Sequence, residues 1–545
     1  MPALPGHGPA LLLELDLTES PVAGDTDPVS RLRLRGRSQL RPVLRALHEG
    51  AQDAHVRGLI ARVGGDLPWA LMQELRRGVR AFAGSGKPTL AWAESFGEGS
   101  ASMTGYVLAT AFDEVWLQPG GELGMLGVAV ETTFVRGALD RLGMEPQIEQ
   151  RHEFKNAANA LMRTEFTDAH RTALDRLAES IHEDAVDMIA EGRALDPGQV
   201  RHLVDTGPRT ARRALADGLV DHLGYRDQAY AAISARVGGD VELLFADRWA
   251  PPRRPHVPAR RTGHVAVVEA HGTITTGRSR RGPMGRQVGS DSIGAQLRAA
   301  GRDPRTRAVV LNIDSPGGSA VASDTIWREV SLVRDAGKPV VVSMGAAAAS
   351  GGYYIACPAD AIVALPSTLT GSIGVFGGKV VVRELLDRLG LTTGTVSHGA
   401  HSLMYSSRKG FSDSEREQLD ATLDAIYDDF VAKVAQGRNR SVEDIEAIAR
   451  GRVWTGSDAL RIGLVDELGG VRDALRIARA RGGLPADAPV VSALHVPALS
   501  RLGRARSTED PRASLGSPMP SVSGLAADLG LRSAVELRMP AITLR

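Results

Sequence analysis

Apolar positions along the chain switch repeatedly between two spacings. HVAVVEAHG (residues 264–272) and RAVVLNID (307–314) are short, dense, β-branched runs that predict strands. DTIWREVSLVRDAG (324–337) spaces its apolar residues at the helical period and closes on glycine, and KPVVVSM (338–344) predicts a third strand. FSDSEREQLDATLDAIYDDFVAKVAQ (411–436) predicts a long amphipathic helix. It opens with Ser412-x-x-Glu415, a pairing that satisfies free backbone N–H groups at a helix start. Strands alternating with helices predict an α/β layered domain.

The same pattern occurs twice. GYVLATAFDEVWLQPGGELGMLGV (105–128) aligns with GYYIACPADAIVALPSTLTGSIGV (352–375) at a constant offset, 352 − 105 = 247. GKP at Gly86 repeats at Gly337, the long helical stretch from Phe166 repeats from Phe411, and ALADGLVDHLG (214–224) repeats as ALRIGLVDELG (459–469). The expected organisation is a first copy over residues 1–246, a Pro/Arg-rich linker over 247–263, a second copy over 264–500, and a Ser/Pro/Arg-rich tail over 501–545. The stretch 501–523 is expected to lack fixed structure, and LAADLGLRSAVELRMP (525–540) is expected to form a short helix.

Composition narrows the class. Hydrophobic residues make up 43% and charged residues 24%, as in ordinary globular protein. A net charge of +1 gives no argument for nucleic acid or an anionic membrane surface. Cys357 is the single cysteine, which rules out an intrachain disulfide and suits a reducing compartment. The first twenty residues lack a basic start, and Glu14 and Asp16 break their apolar run, so no targeting segment is read there. The uncharged stretch 339–359 has the length of a membrane span, but it reads as a strand, a Gly/Ala-rich turn and a helix start. The expected location is cytoplasmic or peripheral to a membrane.

Of 65 basic residues, only Lys87, Lys155, Lys338, Lys379, Lys409 and Lys433 are lysines. Arginine holds its proton in proteins, whereas a buried lysine can release one, so each lysine is a candidate base.

Three segments of the second copy are candidates for chemistry. DSPGGS (314–319) follows a strand, and its glycines let backbone N–H groups approach a ligand, as an oxyanion requires. AASGGY (348–353) places Ser350 at a strand-to-helix junction, and TGSIGV (370–375) offers Ser372 as a hydrogen-bonding neighbour. Taken singly, each is equally a tight turn or a small-residue packing surface. A serine nucleophile needs a base. His401 has no recognisable carboxylate to orient it, which leaves lysine.

Comparing the copies selects one lysine. At the same offset Ser350 falls on Met103, and Lys155 falls on Ser402, since 350 − 103 = 402 − 155 = 247. Each half lacks what the other kept. The first copy also lacks the Ser-Pro, RVGGDLPW (62–69) retaining only the glycine pair. Lys87 and Lys338 share the GKP turn in both copies and read as structural. Lys433 reads as a solvated helix position, and Lys409 is the second candidate base.

DSPGGS and SMGAAAASGGYYIACPADAIVALPSTLTGSIGVFG closely resemble the signal peptide peptidase A family, the S49 serine peptidases, in its long duplicated form, from about residue 10 to 495. The resemblance implies two tandem crotonase-like (ClpP-like) α/β domains, layered β-sheet with flanking helices. It implies Ser350 as nucleophile and Lys155, in HEFKNAA, as general base, with Phe154 loosely matching the family's aromatic. It further implies Ser372 as the residue orienting the lysine, and Gly317 with Gly351 as the oxyanion hole. It also implies a homotetramer with an apolar chamber, and peptide substrates such as released signal peptides. No cofactor or metal is expected. The membrane anchor of many long-form members is not seen here, which leaves peripheral membrane contact open. Two other classes stay open: a crotonase-fold acyl-CoA hydratase or thioesterase, and a non-catalytic scaffold subunit.

Overall fold

The computed structural model describes residues 10–22, 38–98, 102–238, 241–251, 263–282, 285–493, 534–539 and 542–544. Most of the linker and the 501–523 stretch lie outside these. By packing, the chain forms two compact units. One comprises Met1–Ala129 with Ile181–Val257, the other Val130–Ser180 with Pro258–Leu544. The segment Val130–Ser180, first-copy in sequence, thus belongs to the same unit as the whole second copy.

The first unit is built on a parallel sheet in the order Val241–Phe245, Ala10–Leu17, Val56–Val63, Thr89–Ala93, Glu114–Leu117, His222–Leu223. The second unit repeats that order with Val490–Ser492, His264–His271, Thr306–Ser315, Val340–Ala349, Ala361–Ala364 and Glu467–Leu468, again all parallel. Consecutive side chains of a strand point to opposite faces, and both faces of this sheet are covered. Val268, Val309, Leu311, Val340 and Val342 join a core with Ile293, Leu297, Ile326, Val330 and Phe430. Their neighbours Val267, Val310 and Val341 pack instead on Ala474 and Ala478 of the helix Val471–Arg481.

The duplication extends to individual hydrogen bonds. Tyr106 Oη donates to Leu219 O at 2.7 Å, and Tyr353 Oη to Leu464 O at 2.8 Å. Lys87 Nζ donates to the carbonyls of Gly50 and Asp53, and Lys338 Nζ to those of Ala300 and Asp303. The GKP lysines tie a helix end to a strand start in both copies.

Sequence and structure differ at three places. The third strand does not end in a Gly/Ala turn: it runs on to Ala349, changing partner from Ala361–Ala364 to Leu369–Gly371. The helix expected from Asp324 starts at Ala320, capped by Ser319 Oγ. Within the expected helix 525–540, Ala534–Arg538 is a strand, because two open strand edges pair with it and override a weak helical preference. The long helix Asp413–Arg438 carries the capping box of Ser412 and Glu415. Among the described residues no helix is long and apolar enough to cross a membrane.

The long helix of each copy crosses a backbone carbonyl at a glycine. A Cβ on Gly437 would lie 2.0 Å from Cys357 O, and one on Gly192 would lie 2.2 Å from Thr110 O. Neither backbone carbonyl can swing aside like a side chain. Gly437→Ala and Gly192→Ala are each expected to lower the melting temperature in thermal denaturation. The overpacking cost of about 1–3 kcal/mol exceeds the roughly 1 kcal/mol that alanine gains over glycine in a helix.

Candidate functional site

The change of strand partner sets up the first feature of the site. Ala347–Ala349 pair with Leu369–Gly371, which pair in turn with Val453–Trp454. Ser350 then breaks the strand, with φ +55° and ψ −115°, and the helix Gly351–Ala356 begins. A positive φ is uncommon for a serine and costs on the order of 1–3 kcal/mol, which the surrounding structure must hold in place. Ser350 N–H donates to Gly371 O at 2.8 Å and its carbonyl accepts from Tyr354 N at 2.8 Å. Ser350 thus forms a sharp strand-to-helix turn.

Lys155 arrives from the other copy's sequence. The strand Glu145–Gln150 pairs antiparallel with Phe376–Val381, and Arg151 N–H donates to Val375 O at 2.9 Å. The chain then turns into the 3-10 turn Asn156–Ala158, just after Lys155. The segment Arg450–Arg452 clasps both partners. Phe154 N–H donates to Arg450 O at 3.2 Å, Gly451 N–H to Ile373 O at 2.7 Å, and Ser372 N–H to Arg452 O at 2.7 Å. Gly451 is required there, because a Cβ would come within 2.5 Å of Lys155 N and its φ is +83°.

Lys155 Nζ lies 2.8 Å from Ser350 Oγ, 3.0 Å from Ser372 O and 3.0 Å from Ser372 Oγ. All three residues are 0% exposed. Burial alone pushes the Lys155 ammonium well below the usual lysine range, with no charged neighbour to hold the proton on. A neutral amine has two N–H donors and one lone pair. The carbonyl of Ser372 can only accept, so it takes one N–H. With the second N–H on Ser372 Oγ, the lone pair is left for the Ser350 hydroxyl. An amine so held can take a hydroxyl proton.

The glycines of SPGG lie against the same turn. A Cβ at Gly351 would sit 2.6 Å from Ser323 Oγ, 3.1 Å from Gly318 N and 3.2 Å from Gly317 Cα. Gly351 is the first helical residue, where an N–H has no partner within its helix. Gly317, at φ +104°, donates its N–H to Ser315 Oγ at 3.2 Å, so it serves an incoming ligand only by exchanging that bond.

The structure thus brings together Lys155, Ser350, Ser372, Gly317 and Gly351. It places the other candidates elsewhere. Lys409 is ion-paired with Glu415 at 2.8 Å. Lys379 donates to Met404 O at 2.6 Å with its ammonium over the Phe411 ring. Lys433, read as solvated, is largely covered and pairs with Asp324 and Asp429. His401 is exposed beside Ser414. Met103 is buried at the start of the helix Met103–Ala109, and Ser402 is an exposed turn residue bonded to Gly399 O. The sequence reading missed the clasp at Arg450–Arg452, and also Gly374, where a Cβ would come within 3.2 Å of Lys155 Cδ. The glycine of GRVW had no chemical side chain to attract notice. Among the described residues no cluster of His, Cys, Asp or Glu could hold a metal ion.

The profile of Peptidase family S49 matches residues 81–239 and again 333–484, one match in each copy. Protease 4 of Salmonella typhi is 33% identical over 451 residues, covering 80% of this chain and 71% of the relative. The chloroplastic serine protease SPPA of Arabidopsis thaliana is 29% identical over 485 residues, covering 87% of this chain and 70% of the relative. Protease 4 of Haemophilus influenzae is 30% identical over 457 residues, with 79% and 71% covered. With its family profile matched twice and relatives aligned over most of their length, this chain belongs to peptidase family S49 and is a serine-type protease.

Proposed function

We propose that the chain is a serine endopeptidase working through a Ser–Lys dyad, with Ser350 as nucleophile and Lys155 as general base. The observation that carries this reading is the 2.8 Å approach of Lys155 Nζ to Ser350 Oγ in a pocket that strips the amine of solvent. Neutral Lys155 takes the Ser350 proton, and the alkoxide attacks the scissile carbonyl. Ser372 fixes the amine through its carbonyl and its hydroxyl. The N–H of Gly351 meets the developing oxyanion, joined by that of Gly317 once it leaves Ser315 Oγ. The ammonium of Lys155 then protonates the leaving amine, and water resolves the acyl-enzyme. The substrate class, peptides such as cleaved signal peptides, is supported by the family resemblance.

The test is turnover of a fluorogenic peptide and of unfolded casein. Ser350→Ala and Lys155→Ala are each expected to lower kcat by about 10³-fold or more. The double variant is expected to be no worse than either single one, since residues acting as a unit are not additive. Lys155→Arg is expected to be as inactive as Lys155→Ala, because a guanidinium does not give up its proton. Retention of peptide cutting in either alanine variant overturns the reading.

A second test reads the amine without catalysis. In the folded chain Lys155 is held below its ordinary value, while in the unfolded chain it titrates near 10.4. Between those two values the unfolded state binds one more proton, so stability rises with pH, by up to about 1.4 kcal/mol per unit. Over pH 7 to 9 the wild type is expected to gain more in melting temperature than Lys155→Met. Equal pH slopes in the two proteins would show that the amine is charged in the folded state.

A further inference from the structure

Backbone strain in the second unit is concentrated around one lysine. Among the described residues six that are not glycine have a positive φ: His152, Ala194, Ser350, Ser372, Asn439 and Arg450. Ala194 and Asn439 each follow the last residue of a long helix, where a left-handed residue commonly ends the helix. The other four surround Lys155. Ser350 and Ser372 bond its amine, the carbonyl of His152 accepts its backbone N–H at 3.3 Å, and the carbonyl of Arg450 accepts that of Phe154 at 3.2 Å. Each such residue costs on the order of 1–3 kcal/mol and persists only where its surroundings over-determine it. Ser350 and Ser372 have roles in the proposed chemistry. His152 and Arg450 have none, yet both are held.

What holds them is one face of the long helix Asp413–Arg438. Asp420, Asp424 and Tyr427 are spaced four and three residues apart, so their side chains share that face. Arg151 Nη2 donates to Asp420 O at 2.7 Å, and Arg151 Nε donates to Asp424. The His152 ring lies 4.5 Å from the Tyr427 ring. Tyr427 is 4% exposed, and its hydroxyl donates to Glu446 Oε2 at 2.7 Å and accepts from Arg450 N–H at 3.2 Å. Burial and the bond to Glu446 push that hydroxyl far above its ordinary range, so it keeps the proton it donates. The other oxygen of Glu446 faces His152 Nε2 at 3.6 Å and Arg450 Nη1 at 3.7 Å. One phenol and one carboxylate therefore meet both strained residues. The pair of Arg450 with Glu153 is nearer solvent, its side chains 41% and 44% exposed, and contributes less.

The repeat shows that this arrangement is not part of the fold shared by both copies. From Phe166 and Phe411 onward the copies align at an offset of 411 − 166 = 245, and the helix caps Asp196 and Ser441 stay in step. At that offset Tyr427, Glu446 and Arg450 fall on His182, Arg201 and Asp205. The copy without a serine at the Ser350 position lacks the phenol, the carboxylate and the guanidinium alike. We propose that Tyr427 and Glu446 are positioning residues for the proton transfer. They lock the loops 152–155 and 450–452 against each other, which keeps Lys155 Nζ dry and on Ser350 Oγ. This rests on Lys155 being the general base. Neither side chain bonds the reacting atoms, and both act through the main chain of the two loops.

The experiment reads kcat, KM and the acid limb of the kcat–pH profile, below which Lys155 takes up a proton. Turnover of a fluorogenic peptide is referred to the fraction of chains that a fluorophosphonate probe labels at completion, so misfolded protein does not count. Tyr427→Phe keeps the ring and every charge on the loops, those of Arg151, His152, Glu153, Glu446, Arg450 and Arg452, and removes only the two hydroxyl bonds. It is expected to lower kcat about tenfold or more at pH 7, with KM within about twofold. It is also expected to move the acid limb at least about half a unit to higher pH. No charged group faces the Lys155 amine, so the limb follows its hydration, and admitted water favours the ammonium. Glu446→Ala is expected to move the limb the same way, whereas loss of a negative charge alone would move it to lower pH. Glu446→Gln, whose amide oxygen still accepts from Tyr427, is expected to recover most of kcat. The proposal is overturned if Tyr427→Phe has the kcat and acid limb of wild type, or if Glu446→Gln is no better than Glu446→Ala. Failure of the base assignment shows separately, as a Lys155→Ala variant that cuts the peptide with the acid limb of wild type.

Discussion

The removal of water from one amine is the constraint around which the second unit is arranged. Lys155 carries a flexible four-carbon stem, and outside a protein it would be protonated and hydrated. Here the Gly451 backbone presses on its own, Gly374 lies along its stem, and Ser372 takes its two N–H groups. Oxygen acceptors hold the N–H groups of an ammonium more strongly than those of an amine, so the bonds to Ser372 are not what lowers its proton affinity. Desolvation is. A protein that buries a lysine without a carboxylate gives up stability at neutral pH, and the strain at Ser350, with φ +55°, adds to that loss. Both burdens fall at one place, where the proposed chemistry would use them.

The wide, doubly covered sheet makes this affordable. Strands Thr306–Ser315 and Val340–Ala349 are buried on both faces and pair in parallel from Val309 opposite Val340 to Ile313 opposite Met344, then again, after a shift of register, at Ser315 opposite Ala348, so their ends are fixed points. SPGG follows the end of one, and Ser350 follows the end of the other. The small motifs that carry chemistry sit on the last residues of rigid elements, with the clasp Arg450–Arg452 fastening them from outside.

Much of this was readable from residue order. The β-branched runs at 264–272 and 307–314, the capping box at Ser412 and Glu415, and the repeat offset gave the elements and the duplication, because each follows from local chemistry. Lys155 and Ser350 were found together by comparing two copies, a signal independent of any contact. Other features had no local signature. The run of Ala347–Ala349 reads as a turn because alanine and glycine have weak strand preference, yet pairing with Leu369–Gly371 on one side and Thr306–Ser315 on the other makes it a strand. Ala534–Arg538 reads as helical because alanine, glutamate, leucine and arginine favour helix, and only the two edges flanking it decide otherwise. Gly451 was invisible because its contribution is the absence of a side chain.

One strand has an evolutionary consequence. Glu145–Gln150 lies in first-copy sequence but completes a sheet of the second unit, covering the edge of Phe376–Val381. An ancestor reduced to residues 264–493 would lose its amine and also bare a row of unpaired main-chain groups, the kind of edge on which chains stick to one another. Deleting the first copy is therefore no simple trimming. The duplication works as a ratchet, and a return to a single copy would have to rebuild a lysine and a strand at the same time.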